Sequence, residues 1–262
     1  MRSAPLAVAL LRPHAQFRRL VAAELLKLGR RRPLVVVSLL LIAVPMLVSG
    51  VVLVVLHAAD PGKYGSAGGV DNLRGALELL TQLGAVAAVL IGVNAGAGDL
   101  AAGVFRELVV TGRPRLALFA ARIPGGLAFL LPLVAVAFAI AAVWSVALAG
   151  SAPTPSAGLL IEYAGWVALA TTVAFLPALG VASLLASRAT AVAILLAWQL
   201  ALAPLLLQTG KLDPLLLGAA LKRLEPSAAT GSISLTTAIA LVGVWTVAPL
   251  AAGAWRTHTL DA

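Results

Sequence analysis

Few side chains in this sequence could perform chemistry, and their spacing excludes several kinds of catalytic site. The three histidines, His14, His57 and His258, are far apart and lie outside the long apolar runs. There is no cysteine, which excludes disulfides, thiolate metal ligands and cysteine nucleophiles together. We therefore expect no metal and no cofactor in this chain.

Motifs that bind or hydrolyse nucleotides are also missing. A phosphate-binding loop needs Gly-x-x-x-x-Gly-Lys-Ser/Thr, whereas Thr209-Gly210-Lys211 lacks both the upstream glycine and the hydroxyl that should follow. The sequence has neither a serine nucleophile elbow nor an HExxH helix. Glu162 stands at one end of an apolar segment, where a carboxylate can reach the membrane interface. The chain is predicted not to be an enzyme, and any transport would need energy from a separate partner.

The charged segment with the most distinctive pattern reads Asp-Leu-Ala-Ala-Gly-Val-Phe-Arg-Glu-Leu-Val-Val-Thr-Gly-Arg-Pro-Arg over residues 99–115. Asp99 is a residue type that can start a helix, and Gly112 is one that can end it. Between them, Arg106 and Glu107 place charge on a short amphipathic stretch. These signals predict a short helix in water, and an ordinary basic loop is the alternative.

The elements that position this segment are apolar helices. Apolar residues make up 61% of the chain and charged residues 11%, whereas a soluble domain carries about 25% charged residues. Mean hydropathy is +1.03. A helix needs about 20 mostly apolar residues to cross a membrane, and six segments meet this requirement or come close to it: 34–56, 79–98, 123–148, 159–186, 190–207 and 232–255.

The fourth and fifth segments are separated only by a few residues around Arg188. An arginine at the centre of one longer helix would cost roughly 2.5–3.5 kcal/mol, so a tight turn at the membrane surface is predicted instead. The chain is thus expected to be one all-α membrane domain over 1–262 with six transmembrane helices. In the second segment, Gly84, Ala88, Gly92 and Gly96 share one helix face, which predicts close packing against another helix.

The distribution of basic residues predicts the orientation of these helices, because Lys and Arg concentrate in cytoplasmic loops. With the N-terminus inside, only Lys63, Arg74, Lys211, Lys222 and Arg223 fall outside, and the other fourteen of the 19 basic residues fall inside. Both termini are therefore predicted to be cytoplasmic. Since topology explains most of the formal charge of +9, nucleic acid is not a predicted partner. A cleaved signal peptide is disfavoured, because the first apolar run is short and ends at Arg12.

Residues 99–115 resemble a segment of the permease subunits of type 2 ABC exporters. In that family an acidic residue is followed four positions later by glycine, then by a leucine-rich turn, a threonine and a basic residue before the third span. The residues that match are Asp99, Gly103, Leu108, Thr111, Arg115 and Arg122, whereas Val104 and Gly112 replace the usual threonine and proline. The resemblance implies a cytoplasmic coupling helix that docks into an ATPase subunit. It implies ATPase-coupling roles for Asp99, Gly103, Arg106, Glu107, Leu108, Thr111, Gly112, Arg113 and Arg115.

The segment before the first span also agrees with this family. An interfacial helix is predicted over 14–32, with Phe17, Leu20, Val21, Leu25 and Leu28 on one face. Glu24 interrupts that face, and with Lys27 it resembles a Glu-x-x-Lys stretch that contacts the ATPase in the family. An ordinary basic flank that fixes topology is the alternative.

The segment over 208–230 contains Asp213-Pro214, which predicts an N-cap and a first-turn proline for a short helix over 215–224. That helix is too short to span a membrane. In the family, short helices at this place dip into the outer leaflet and close the exit.

Together these features predict a permease subunit of an ATP-driven exporter in the plasma membrane. It would pair with a second copy or a sister permease, contact membrane lipid, and dock two ABC ATPase subunits that bind ATP and Mg. A membrane-embedded binding or immunity protein without transport activity is the alternative. An intramembrane enzyme is disfavoured, because the apolar segments contain no acid, base or metal cluster.

Overall fold

The computed structural model describes residues 12–104, 107, 110, 114–226 and 233–259, with side chains from residue 15 onward. The described residues form helices, turns and short connections, and no strand occurs among them. The helices are α1 Arg12–Gly29, α2 Arg32–Ala59, α3 Pro61–Tyr64, α4 Val70–Ala101, α5 Arg115–Ala147, α6 Ala157–Leu185, α7 Arg188–Ala197, α8 Ala203–Gln208, α9 Leu217–Arg223 and α10 Leu235–Thr259. A π-helical turn over Trp198–Leu202 joins α7 to α8, so that the two form one rod over Arg188–Gln208, and Pro204 lies in the first turn of α8.

Six rods in the described part of the chain are long and apolar enough to cross a membrane: α2, α4, α5, α6, α7 with α8, and α10. This confirms the prediction of an all-α polytopic membrane protein. Helices α4 and α5 begin at Val70 and Arg115, earlier than the apolar segments starting at 79 and 123. The backbone bonds of a helix continue past the hydrocarbon core into water, so the helices are longer than their apolar runs.

The helix boundaries follow local chemistry. Helix α6 ends where Ala186 adopts a left-handed conformation with φ of 54°. The Ser187 hydroxyl then accepts a hydrogen bond from the Thr190 amide at 3.4 Å and caps α7. This turn puts Arg188 at a helix end, as predicted. Helix α1 ends at Gly29 instead of residue 32. The next helix, α2, already begins at Arg32, and Pro33 occupies its first turn, a position that proline favours.

The small-residue face of α4 packs against α6. A Cβ atom added to Gly92 would lie 2.7 Å from the Phe175 carbonyl oxygen, and one added to Gly96 would lie 3.1 Å from the Ala182 Cβ. Only hydrogen fits at these positions, because the two backbones approach too closely for a side chain. The structure thus confirms the predicted packing face and identifies its partner as α6.

The bundle has two chemically different ends. The basic end is where α1, the start of α2, the end of α4, the start of α5 and the end of α10 meet. At the opposite end, three aromatic donors hold backbone carbonyls around α9: Trp166 Nε1 bonds to Leu221 at 3.0 Å, the Tyr163 hydroxyl to Pro226 at 3.2 Å, and Trp245 Nε1 to Leu215 at 3.0 Å. These bonds satisfy polar groups of a segment that is too short to cross the membrane.

The N-cap predicted at Asp213 is wrong. Asp213 begins a 3₁₀ turn that ends at Leu215, and Leu216 is extended. The α-helix starts at Leu217, and its N-cap residue makes no side-chain hydrogen bond. Asp213 and Pro214 favour a local turn as readily as a helix start. Here they form the 3₁₀ turn, and the extended Leu216 separates it from the α-helix.

The fold predicts where topology reporters will be active. Six spanning rods return the chain to the side where it started, so α1 and the end of α10 should lie on one face of the membrane. We expect reporter fusions after Arg256 and within residues 62–70 to report opposite sides, with the former in the cytoplasm. Two fusions that report the same side would contradict six spans.

Candidate functional site

The predicted docking segment begins at Asp99, which was expected to start a helix and instead lies near the end of one. Asp99 does not start a helix, because it lies in the last turn of α4, which continues to Ala101. Gly103, with φ of 71°, then ends the helix in a left-handed conformation. The Gly103 amide bonds to the Leu100 carbonyl at 3.2 Å, and the Val104 amide bonds to the Asp99 carbonyl at 3.1 Å.

The Asp99 carboxylate is the centre of a four-residue ion network that we call the basic-end network: Glu24, Lys27, Asp99 and Arg122. Lys27 Nζ donates to Asp99 Oδ1 at 3.1 Å and to Oδ2 at 3.0 Å. The same ammonium lies 2.5 Å from Glu24 Oε2. On the other side, Arg122 Nη2 donates to Asp99 Oδ2 at 3.4 Å. The network thereby connects α1, α4 and α5.

The basic-end network is largely removed from water. Arg122 is only 1% exposed and Asp99 8%. Arg122 Nη1 also donates to the Gly96 carbonyl at 2.9 Å, and the Ser183 hydroxyl donates to the same oxygen at 3.2 Å. Two carboxylates balance two cations, so the buried charges compensate one another, as charges in a low-dielectric interior must.

Helix α1 is fixed directly on α5. A Cβ atom added to Gly125 would lie 2.6 Å from the Glu24 Cβ and 3.2 Å from the Val21 carbonyl oxygen. Leu20 is buried among Leu118 and Ala121 of α5. The predicted apolar face of α1 therefore packs in part on protein, although Phe17 on that face is 36% exposed.

The other end of the docking segment is anchored as well. Arg115, the first residue of α5, donates from Nη1 to the His258 carbonyl at 3.1 Å. His258 lies in the last turn of α10, where carbonyl groups lack helical partners and attract cations. Both ends of the segment are thus tied to helices of the bundle.

Between these anchors, the described tip of the loop is exposed. Glu107 is helical and exposed, and Val110 is 83% exposed. Such exposure of an apolar side chain leaves surface available for a partner. The predicted coupling residues Arg106, Leu108, Thr111, Gly112 and Arg113 lie outside the described residues.

The structure brings together site residues that the sequence presented separately. Glu24 and Lys27 lie on α1, and the Lys27 ammonium pairs with both Glu24 and Asp99, which lies at the end of α4. Their contact with an ATPase stays a prediction. Arg122 is a member of this network that sequence analysis named only as a motif match and not as a site residue. Its position directly before the third apolar segment was the available signal, because a cation at the edge of a span can be buried with a partner.

Among the described residues, no three His, Asp or Glu side chains form a group that could hold a metal ion. A comparison with protein-family models found no match to this chain, and a comparison with curated proteins found no similar sequence.

Proposed function

We propose that this chain is the permease subunit of an ATP-driven exporter of the type 2 ABC class, and that residues 99–115 dock a separate ATPase subunit in the cytoplasm. The observation that carries the proposal is the geometry of this segment. Its ends are held by Asp99 and Arg115, whereas its described tip residues, Glu107 and Val110, are exposed. A segment whose ends are fixed and whose described middle residues are exposed can transmit a force from a partner to the helices behind it.

The basic-end network connects the helices that would transmit this force. A force on the loop acts first on the end of α4 and the start of α5, which Asp99 and Arg122 connect. Lys27 couples the same carboxylate to α1, so the three helices would move as one unit. Because α4 packs closely on α6, the displacement would also reach α6. Nucleotide binding in the partner would then favour one of two arrangements.

The proposed assembly contains two permeases and two ATPase subunits. Only 17% of the most apolar stretch of α2 is buried within this chain, which leaves surface for lipid and for a second copy or a sister permease. ATP and Mg would bind in the ATPase subunits, because this sequence has no phosphate-binding loop.

Isolated protein should therefore hydrolyse no ATP. We expect the purified full-length chain in phosphatidylcholine vesicles to release phosphate no faster than vesicles without protein. Addition of the cognate ATPase should produce hydrolysis that responds to transported substrate. Hydrolysis by the homogeneous chain alone would contradict the assignment, and so would an ATPase whose rate is unaffected by the chain.

A further inference from the structure

A second basic feature lies beside the basic-end network and takes no part in it. It is a groove of about 760 Å³, which we call the arginine groove, between the start of α2, the middle of α4 and the turn before α7. Four guanidinium groups line it, from Arg30, Arg31, Arg32 and Arg188. None of the described residues that line it is acidic.

The charges in the arginine groove are not compensated by the nearby acids. Glu24 and Asp99 form their ion pairs with Lys27 and Arg122. No ion pair to Arg30, Arg32 or Arg188 occurs among the described residues, which include nine of the ten acidic residues of the chain. Four like charges around one groove repel each other, and an anion that enters it relieves this repulsion.

One of these arginines is already oriented. Arg31 Nη1 donates to Asn94 Oδ1 at 2.7 Å, and the Asn94 amide nitrogen in turn donates to the Leu90 carbonyl at 2.9 Å. A guanidinium that is held in place loses less freedom when it binds an anion. Its planar set of donors matches the oxygens of a phosphate group.

One wall of the arginine groove is apolar. Leu34, Val37 and Leu90 line it beneath the arginines, and Val37 is 40% exposed. The long apolar run of α2 starts at Leu34, directly after the basic residues 30–32. Because α2 is apolar enough to span a membrane and starts here, we expect the groove to lie at the depth of lipid headgroups.

We propose that the arginine groove binds an anionic phospholipid, with its phosphate among the arginines and an acyl chain along Val37 and Leu90. Charge complementarity favours an anion, and the apolar wall favours a lipid over a small soluble phosphate. This binding would fix the start of α2 at the membrane surface. It is independent of the proposed export activity, because it requires no ATPase.

The test uses the full-length chain in nanodiscs of phosphatidylcholine, titrated with phosphatidylglycerol that carries a fluorescent acyl chain. We expect the wild-type protein to bind this lipid about tenfold more tightly than labelled phosphatidylcholine. The double variant Arg30→Gln with Arg32→Gln should reduce this preference to about twofold, and Arg188→Gln alone should reduce it measurably. Inorganic phosphate at millimolar concentration should not displace the lipid.

The matched control is Arg18→Gln with Arg19→Gln, which removes the same charge from exposed positions on α1, outside the groove. This control should keep the tenfold preference. Equal binding of the two lipids by wild-type protein would overturn the proposal, as would equal loss in the control. Displacement by inorganic phosphate would instead assign the groove to a small soluble anion and overturn the lipid as its occupant. Size-exclusion profiles that match wild type identify the variants that are folded.

Discussion

Replacing Asp99 with alanine should lower the free energy of unfolding by roughly 3–5 kcal/mol, the usual cost of removing one partner from a buried ion pair. Arg122 is 1% exposed and would lose this carboxylate, while Lys27 would keep only Glu24. The basic-end network would then keep two cations and only one carboxylate in a setting that is largely removed from water. This is the largest stability effect that we expect from a single substitution in the chain.

The matched control is Asp71→Ala on the same helix. Asp71 also pairs with an arginine, but its side chain is 96% exposed, and its distance to Arg74 Nη1 is 3.7 Å. An exposed pair of this kind contributes about 0–1 kcal/mol. Unfolding of both variants in mixed detergent micelles, followed by circular dichroism, measures the difference. Equal losses for Asp99→Ala and Asp71→Ala would show that the network does not stabilise the basic end.

Replacing Val110 with glutamate should weaken binding of the ATPase about a hundredfold, which corresponds to about 2.7 kcal/mol, because a charge would be buried in the docked interface without a partner. Folding and insertion should be unchanged, because Val110 is 83% exposed in the isolated chain. The measurement is a titration of the ATPase onto the permease in nanodiscs.

Two variants separate docking from general effects of charge. Val110→Thr keeps the shape of the side chain and should change affinity less than tenfold. Lys211→Glu reverses an exposed charge that lies away from the docking segment and should have no effect. The joint reversal Arg106→Glu with Glu107→Arg should weaken assembly or uncouple hydrolysis from export. If Val110→Glu and the joint reversal both bind the ATPase as wild type does, the segment has no docking role.

The spans could be predicted from sequence because insertion depends on local composition. Hydropathy alone located the six apolar segments, and the cost of placing Arg188 in a membrane predicted the turn before α7. The spacing of small residues on α4 predicted a packing face, but its partner depends on which helix lies opposite. Only the tertiary structure supplies that information, through the contact of Gly92 and Gly96 with α6.

The site could be predicted only in part, because its residues lie far apart in the sequence. Lys27 and Asp99 are separated by 72 positions, and no local pattern relates them. The resemblance drew attention to both residues but gave Lys27 an outward contact with a partner. In the structure it faces Asp99, because α1 lies across α5 at Gly125. The cap predicted at Asp99 failed because α4 continues through it until Gly103 permits a left-handed turn.

Docking of a separate ATPase on residues 99–115 can be tested directly. The most direct measurement is purification of the tagged full-length chain from its native membranes in mild detergent, followed by mass spectrometry of the proteins that accompany it. We expect an ATPase with a phosphate-binding loop, in amounts close to those of the permease, that is retained by Val110→Thr and lost with Val110→Glu. Intact wild-type chain that carries no ATPase, or an ATPase retained equally by both variants, would contradict it.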